Sequence, residues 1–137
     1  MAVPRGIRNN NPLNIRKGNR WKGERPHQVD DSFEEFTTIE FGLRAGFKLL
    51  RNYITGFDGR RPRCNTIYKI VSMWAPPSEN ATRKYIDYVS QYTGIHPLEV
   101  ISFKQRAQMV KIVQAMCRVE CGEDIPRETI ESAYDMV

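Results

Sequence analysis

Two carboxyls stand close to indole rings in this sequence, and they are the first candidates for chemistry. Glu79 follows Trp74-Ala75-Pro76-Pro77-Ser78 and precedes Asn80; Glu24 follows Trp21-Lys22-Gly23. Cleaving a glycosidic bond needs a carboxyl that keeps its proton and a surface that grips a sugar. An indole offers a flat apolar platform, and it raises the pKa of a carboxyl that it helps to bury. Glu79 is the first candidate general acid and Glu24 the second. Each has a plainer reading. Glu79 also suits a helix start, where the dipole favours an anion by roughly 0.3–1 kcal/mol. Glu24 also suits a salt bridge to a neighbouring Arg or Lys. The other carboxyls outside obvious helices, Asp30, Asp31, Glu34 and Glu35, read mostly as solvated surface groups.

The second chemical concentration is Asn9-Asn10-Asn11-Pro12-Leu13-Asn14-Ile15-Arg16. Asn tolerates left-handed backbone and hydrogen-bonds its own chain, so Asn grouped around Pro reads as a structured turn. Amides also present donors and acceptors without charge, which suits sugar hydroxyls. Two readings stay open: a turn whose amides satisfy the local backbone, or a binding cleft built on that turn. The cleft reading has the Asn9–Arg16 turn and the Trp74–Asn80 loop meeting in the fold, because amides beside aromatics are what a glycan pocket needs.

Other chemistries find little support. There is no Gly-rich phosphate loop, no G-x-S-x-G and no zinc-ligand spacing, so neither a metal nor a cofactor is expected. His27 and His96 stand apart from each other and read as structural or exposed. The three cysteines, Cys64, Cys117 and Cys121, read as reduced, and the helical pair Cys117/Cys121 as small buried hydrophobes. No apolar run reaches membrane-spanning length, and no apolar stretch follows the basic start, so synthesis in a bacterial cytoplasm without a signal peptide is expected. The chain has 137 residues, 40% hydrophobic and 27% charged, and a net charge of +5, enough for one domain with one modest core. Arg5, Arg8, Arg16, Lys17, Arg20, Lys22 and Arg25 face only Glu24 across the first stretch. That excess favours an anionic partner, although a scattered solvated face would look the same. Nucleic acid is the less favoured partner, because no nucleic-acid module is recognisable and aromatics are sparse among the basic residues.

These residues need elements to position them. Asn14–Lys17 and Arg20–Lys22 across Gly18-Asn19 read as a small β-hairpin, with Ser32–Phe36 as another short extended piece. Helical signals follow. Thr37-x-x-Glu40 is a capping box that opens a stripe of Phe41, Ala45, Leu49 and Tyr53, stopped at Gly56. Ile67, Ile70, Val71 and Trp74 make a second stripe, ended by Pro76-Pro77. Asn80 caps a third, carrying Tyr85, Ile86, Val89 and Tyr92 to Gly94. His96–Val100 reads as a short helical turn, and Ser102-x-x-Gln105 as a second capping box. The longest stripe then runs through Phe103, Ala107, Val110, Val113 and Cys117 to Gly122, and a last segment starts at Pro126. The expectation is one mostly α (α+β) domain over residues 1–137.

Arg5-Gly6-Ile7-Arg8 with the Asn-rich turn, Trp21-Lys22-Gly23, Phe33 with Phe36, Gly42 with Arg44-Ala45, and Trp74–Thr82 with Tyr85 resemble a family of small phage and prophage proteins. That family is regarded as virion-associated or lysozyme-like. More distantly, Asn10–Ile15 followed by Trp21 and Gly23 is similar to a segment of bacterial cell-wall glucosaminidases. Thr82–Val89 is similar to the Thr-x-x-Tyr-Val helix of lytic transglycosylases. The resemblance implies a lysozyme-like helical domain and a peptidoglycan glycan-strand cleaving activity of phage or mobile-element origin, acting from a virion or released at the cell wall. Peptidoglycan or another glycan, and other virion proteins, are the partners it implies. By matched position, Asn11, Asn14, Trp21, Trp74 and Tyr85 become glycan-binding residues, with Asn80 beside them. Two departures stand out. Leu13 replaces a more usual Gly. The catalytic Glu of the glucosaminidases and transglycosylases lies on a helix before the Asn-rich segment, and no residue here matches it. Either Glu79 or Glu24 takes that role, or the protein is a non-enzymatic virion or wall-binding protein on the same scaffold.

Overall fold

A computed structural model describes residues 3–74 and 78–137. Six helices run through them: α1 (Arg5–Arg8), α2 (Ile39–Gly59), α3 (Ile67–Trp74), α4 (Glu79–Thr93), α5 (Arg106–Cys121) and α6 (Arg127–Asp135). The fold is mostly helical, as the stripes require. The tandem-proline stop, Ala75–Pro77, lies outside the described residues. No helix among the described residues is long and apolar enough to cross a membrane.

The β-hairpin does not form. Asn14 takes a left-handed φ of 52°, which bends the would-be first arm. The first arm pairs instead with the segment at 32–37, through a single antiparallel bridge Arg16–Phe33, and Glu24, just past the second arm, makes another with Phe36. Lys17 N donates to Ser32 O and Glu34 N to Ile15 O, each at 3.0 Å; Arg25 N donates to Glu35 O at 2.9 Å. The extended piece at 32–37 therefore sits between two loops and is not a hairpin's neighbour.

Helix starts fall one or two residues from the sequence reading. Thr38, not Thr37, caps α2 by accepting from Phe41 N at 3.2 Å. Ser78, not Asn80, caps α4 by accepting from Ala81 N at 3.0 Å. The Ser102 hydroxyl accepts from Lys104 N and α5 starts behind Gln105 with no side-chain cap, so the second capping box is absent, and the stretch at 96–100 is turn, not helix. The stops are as read: Gly94 and Gly122 end α4 and α5 in left-handed conformation.

α5 is the central element. It packs against α4, α6 and α1, and buries Met109, Val110, Ile112, Val113, Met116 and Cys117. Ala107, expected on its inner stripe, is exposed. α2 packs on α6, and α3 on α4. Phe47 on α2, Phe103 before α5 and Tyr134 on α6 meet with ring centroids 5.2–6.3 Å apart. Tyr134 Oη donates to Phe103 O at 2.7 Å, so the buried hydroxyl is satisfied. The three thiols are free, with Cys117 and Cys121 buried.

α2 also carries the N-terminal turn. Gly42 is a weak helix former in a helix interior, and its reason is close approach: a Cβ there would lie 1.9 Å from Asn10 O. Four residues on, a Cβ at Gly46 would meet Leu13 Cδ1 at 2.3 Å. The turn rests directly on the helix backbone, and Leu13 is fully buried.

Candidate functional site

Three of the four asparagines in the turn are structural. Asn9 donates to Asp30 Oδ2 at 3.0 Å, and Asn10 to Phe36 O at 3.1 Å. Asn11 is fully buried. Its Oδ1 accepts from Ile15 N at 2.9 Å, while its Nδ2 donates to Ile15 O and Glu34 O at 2.9 and 3.0 Å. Every polar position of that amide facing the chain is used, so Asn11 holds the turn from beneath and offers a ligand nothing.

Asn14 is different. Its left-handed backbone turns the amide toward α5, where Nδ2 donates to Glu120 O at 2.8 Å and lies 3.5 Å from Glu120 Oε1. The last four carbonyls of a helix have no intrahelical partner. Asn14 satisfies one of them from a position 106 residues away in sequence.

A cleft of about 980 Å³ opens at this contact. Its walls come from the N-terminal turn (Asn14, Arg16), from α2 (Tyr53), from the end of α3 (Trp74), from α4 (Tyr85) and from the last turn of α5 (Glu120). Trp74 Nε1 donates to Leu13 O at 3.4 Å, which ties the end of α3 to the Asn-rich turn. The two segments thus share a cleft, through Asn14 and Trp74. Asn80 is exposed and is not part of the wall.

Glu120 is the carboxyl among the residues that line this cleft. Burial pushes its pKa up, and hydrogen bonding from Tyr85 and Asn14 with the charge of Arg16 only partly offsets that. The Tyr85 hydroxyl is buried and faces the Glu120 carboxyl. Burial first, and then the Glu120 charge, raises its pKa well above the usual range. A carboxyl with a raised pKa beside a buried hydroxyl and aromatic rings is the kind of environment in which functional carboxyls are found.

Sequence reasoning missed Glu120, yet a signal was present. Val113, Cys117 and Glu120 fall at i, i+4 and i+7, so a glutamate occupies the apolar face of α5.

The two carboxyls favoured from sequence lie elsewhere. Glu79 is exposed in the first turn of α4, behind the Ser78 cap and outside the cleft wall. It is placed where the helix dipole favours an anion. Glu24 accepts from Trp21 N at 3.1 Å and faces Glu34, not the cleft. Asp30, Glu34 and Glu35 are buried, contrary to the surface reading. Burial and the adjoining Glu24 carboxyl push Glu34 up to about 7. Asp30 is held far below the usual range by Arg5, which grips it with two 2.6 Å bonds, against the opposing effect of burial. Burial alone would raise Glu35, but the Asp30 and Val29 N–H groups and Arg25 outweigh it. Part of the N-terminal basic excess is therefore neutralised at Asp30 and Glu35. Arg16, Lys17, Arg20 and Lys22 remain outside the ion pairs formed among the described residues. No group of three or more His, Cys, Asp or Glu among the described residues is placed to hold a metal ion.

Trp21 lies in a second cavity of about 540 Å³. Its indole Nε1 is buried without a partner in the fold.

Fold and site together define a mostly helical protein with an aromatic-walled cleft around one carboxyl whose pKa is raised by burial. No protein-family model matches the chain. It is similar to Protein P5 of Pseudoalteromonas phage PM2, with 43% identity over 95 residues, covering 66% of this chain and 56% of that relative. The chain thus spans little more than half the length of the curated relative it matches.

Proposed function

We propose that the cleft binds and cleaves the glycan strands of peptidoglycan on a lysozyme-like scaffold, with Glu120 as the general acid. The observation that carries this reading is the half-buried Glu120, its pKa raised by burial, set between Asn14 and Tyr85 in a cleft walled by Trp74 and Tyr53. The resembling cell-wall enzymes call for a catalytic Glu on a helix beside the Asn-rich segment. α5 brings such a carboxyl to that segment, from the far end of the chain rather than from before it. Glu120 donates its proton to the glycosidic oxygen as the C–O bond breaks, leaving a free hydroxyl on one fragment and oxocarbenium character on the other. The resulting carboxylate then takes the proton of the attacking group. No second carboxyl lines the cleft among the described residues, which favours attack by the sugar's own hydroxyl over paired-carboxylate hydrolysis. Asn14 orients and steadies Glu120, and Trp74 and Tyr53 supply apolar faces for the sugar. Arg16 limits how far the acid's pKa rises.

The likeness to a phage protein supports a place in a virion or at a host cell wall. It equally supports the second reading, a virion or wall-binding protein that grips glycan without cutting it. The test is release of soluble fragments from purified peptidoglycan by the wild-type chain and by Glu120→Gln. The variant should lose about 10²–10⁴-fold in rate while keeping its helical dichroism. Glu79→Gln and Glu24→Gln should keep most activity. Absence of release by wild type from several peptidoglycans transfers the cleft to the binding reading. Full activity of Glu120→Gln removes Glu120 from the chemistry.

A further inference from the structure

The second cavity adjoins the first, and Asn19, Leu49, Tyr53 and Met73 line both. A row of rings runs along the shared wall. Phe57 and Tyr53 have centroids 6.1 Å apart, and Tyr53 and Trp74 6.2 Å. The groove changes character along this row. At the Trp74 end it holds Glu120. At the Phe57 end its wall carries Arg20 and Arg61, with the amides of Asn19 and Asn52, and no carboxyl among the described residues. Arg61 lies over the Phe57 ring at 4.9 Å, and neither guanidinium joins the ion pairs formed among the described residues. Trp21 belongs to the same wall.

The backbone holds this end in an uncommon conformation. Gly56, Phe57, Asp58 and Gly59 all have positive φ, two of them non-glycine. Arg61 N donates to Gly56 O at 2.9 Å, and a Cβ at Gly56 would meet Arg61 O at 2.1 Å. Left-handed conformation is unfavourable for a non-glycine residue, and such residues cluster at ligand clamps and functional sites. Here the turn sets Phe57 and Arg61 in the wall of the second cavity.

We propose that the second cavity is a subsite for a carboxylate carried by the same polymer, so that the whole groove takes an acidic glycan. This rests on the reading of the first cavity as a glycan site. Arg20 and Arg61 receive the carboxylate, the amides of Asn19 and Asn52 bond sugar oxygens, and the ring row carries the sugar faces between the cavities. The edge-to-face rings, at interplanar angles of 65° and 85°, do not make the parallel platforms on which successive bases stack. Glu120 at the other end disfavours a polyphosphate once ionised.

The test measures binding to the Glu120→Gln chain, so that a bound strand is not consumed. The probes are a neutral N-acetylglucosamine oligomer, a peptide-free glycan strand of equal length bearing lactyl carboxylates, and oligothymidylate. The acidic strand should bind about tenfold more tightly than the neutral one at low salt, and the gap should close as salt rises. Arg20→Ala/Arg61→Ala, both exposed positions, should abolish the gap and leave neutral-oligomer affinity unchanged. Equal affinity of the parent for the two glycans, or a double variant that keeps the gap, overturns the subsite alone. Binding of neither glycan overturns the glycan reading with it. Arginine-dependent binding of oligothymidylate without glycan binding reassigns the groove to single-stranded nucleic acid.

Discussion

Asn14 joins backbone geometry to the chemistry of the acid, and two replacements separate those roles. Asn14→Gly keeps the left-handed backbone and removes the amide. It should cost about 1 kcal/mol, the usual net value of one hydrogen bond, with the upper end set by the Glu120 carbonyl it leaves unsatisfied. Asn14→Ala removes the same bond and keeps a Cβ at φ 52° without the local side-chain hydrogen bonding that lets Asn tolerate that conformation, so it should be the less stable of the two variants, by at most roughly 1–2 kcal/mol. Urea unfolding with an unchanged slope measures both. The chemistry should shift equally in the two variants. The Asn14 amide holds the Glu120 pKa down against burial, so its loss moves that pKa further up. A general acid works only while protonated, so the high-pH limb of glycan cleavage should move to higher pH. Equal stability of the Gly and Ala variants would refute the backbone argument. An unmoved limb in both would refute the contact with the acid.

Other outcomes follow from the same geometry. Glu34 titrates near 7 in the fold against 4.5 ordinarily, so the native state holds a proton that the unfolded chain releases between those values. Stability should therefore fall as pH rises from about 4.5 to 7, by on the order of 3 kcal/mol, and Glu34→Gln should flatten that slope in urea midpoints. In the folded protein a thiol reagent should modify Cys64 first, with Cys117 and Cys121 reacting only on unfolding, because both are buried and burial raises their pKa. Asp58→Gly should raise stability by about 0.5–1 kcal/mol in thermal or urea melts, since it relieves an exposed left-handed residue. A loss there would show that Asp58 makes a contact worth more than the strain.

The sequence determined the helical architecture because helix signals are local. Stripes at 3.6-residue spacing and the left-handed stops at Gly94 and Gly122 act within a few residues of themselves, so reading along the chain suffices. It also brought the Asn-rich turn and Trp74 together as a pairing worth expecting. Tertiary structure decided the rest. A hairpin was legible at Asn14–Lys22, but φ at Asn14 and the competing partner at 32–37 are settled by how the turn rests on Gly42 of α2. Asn11 and Asn14 look alike in a sequence; only packing buries one and turns the other toward α5. Glu79 and Glu24 lie close to indoles along the chain, and that nearness says nothing about burial. Glu120 lies 106 residues from its partner Asn14, and a carboxyl's pKa depends on which groups surround it in space. Desolvation is a property of the assembled fold, which is why the raised pKa of Glu120 was not legible along the chain.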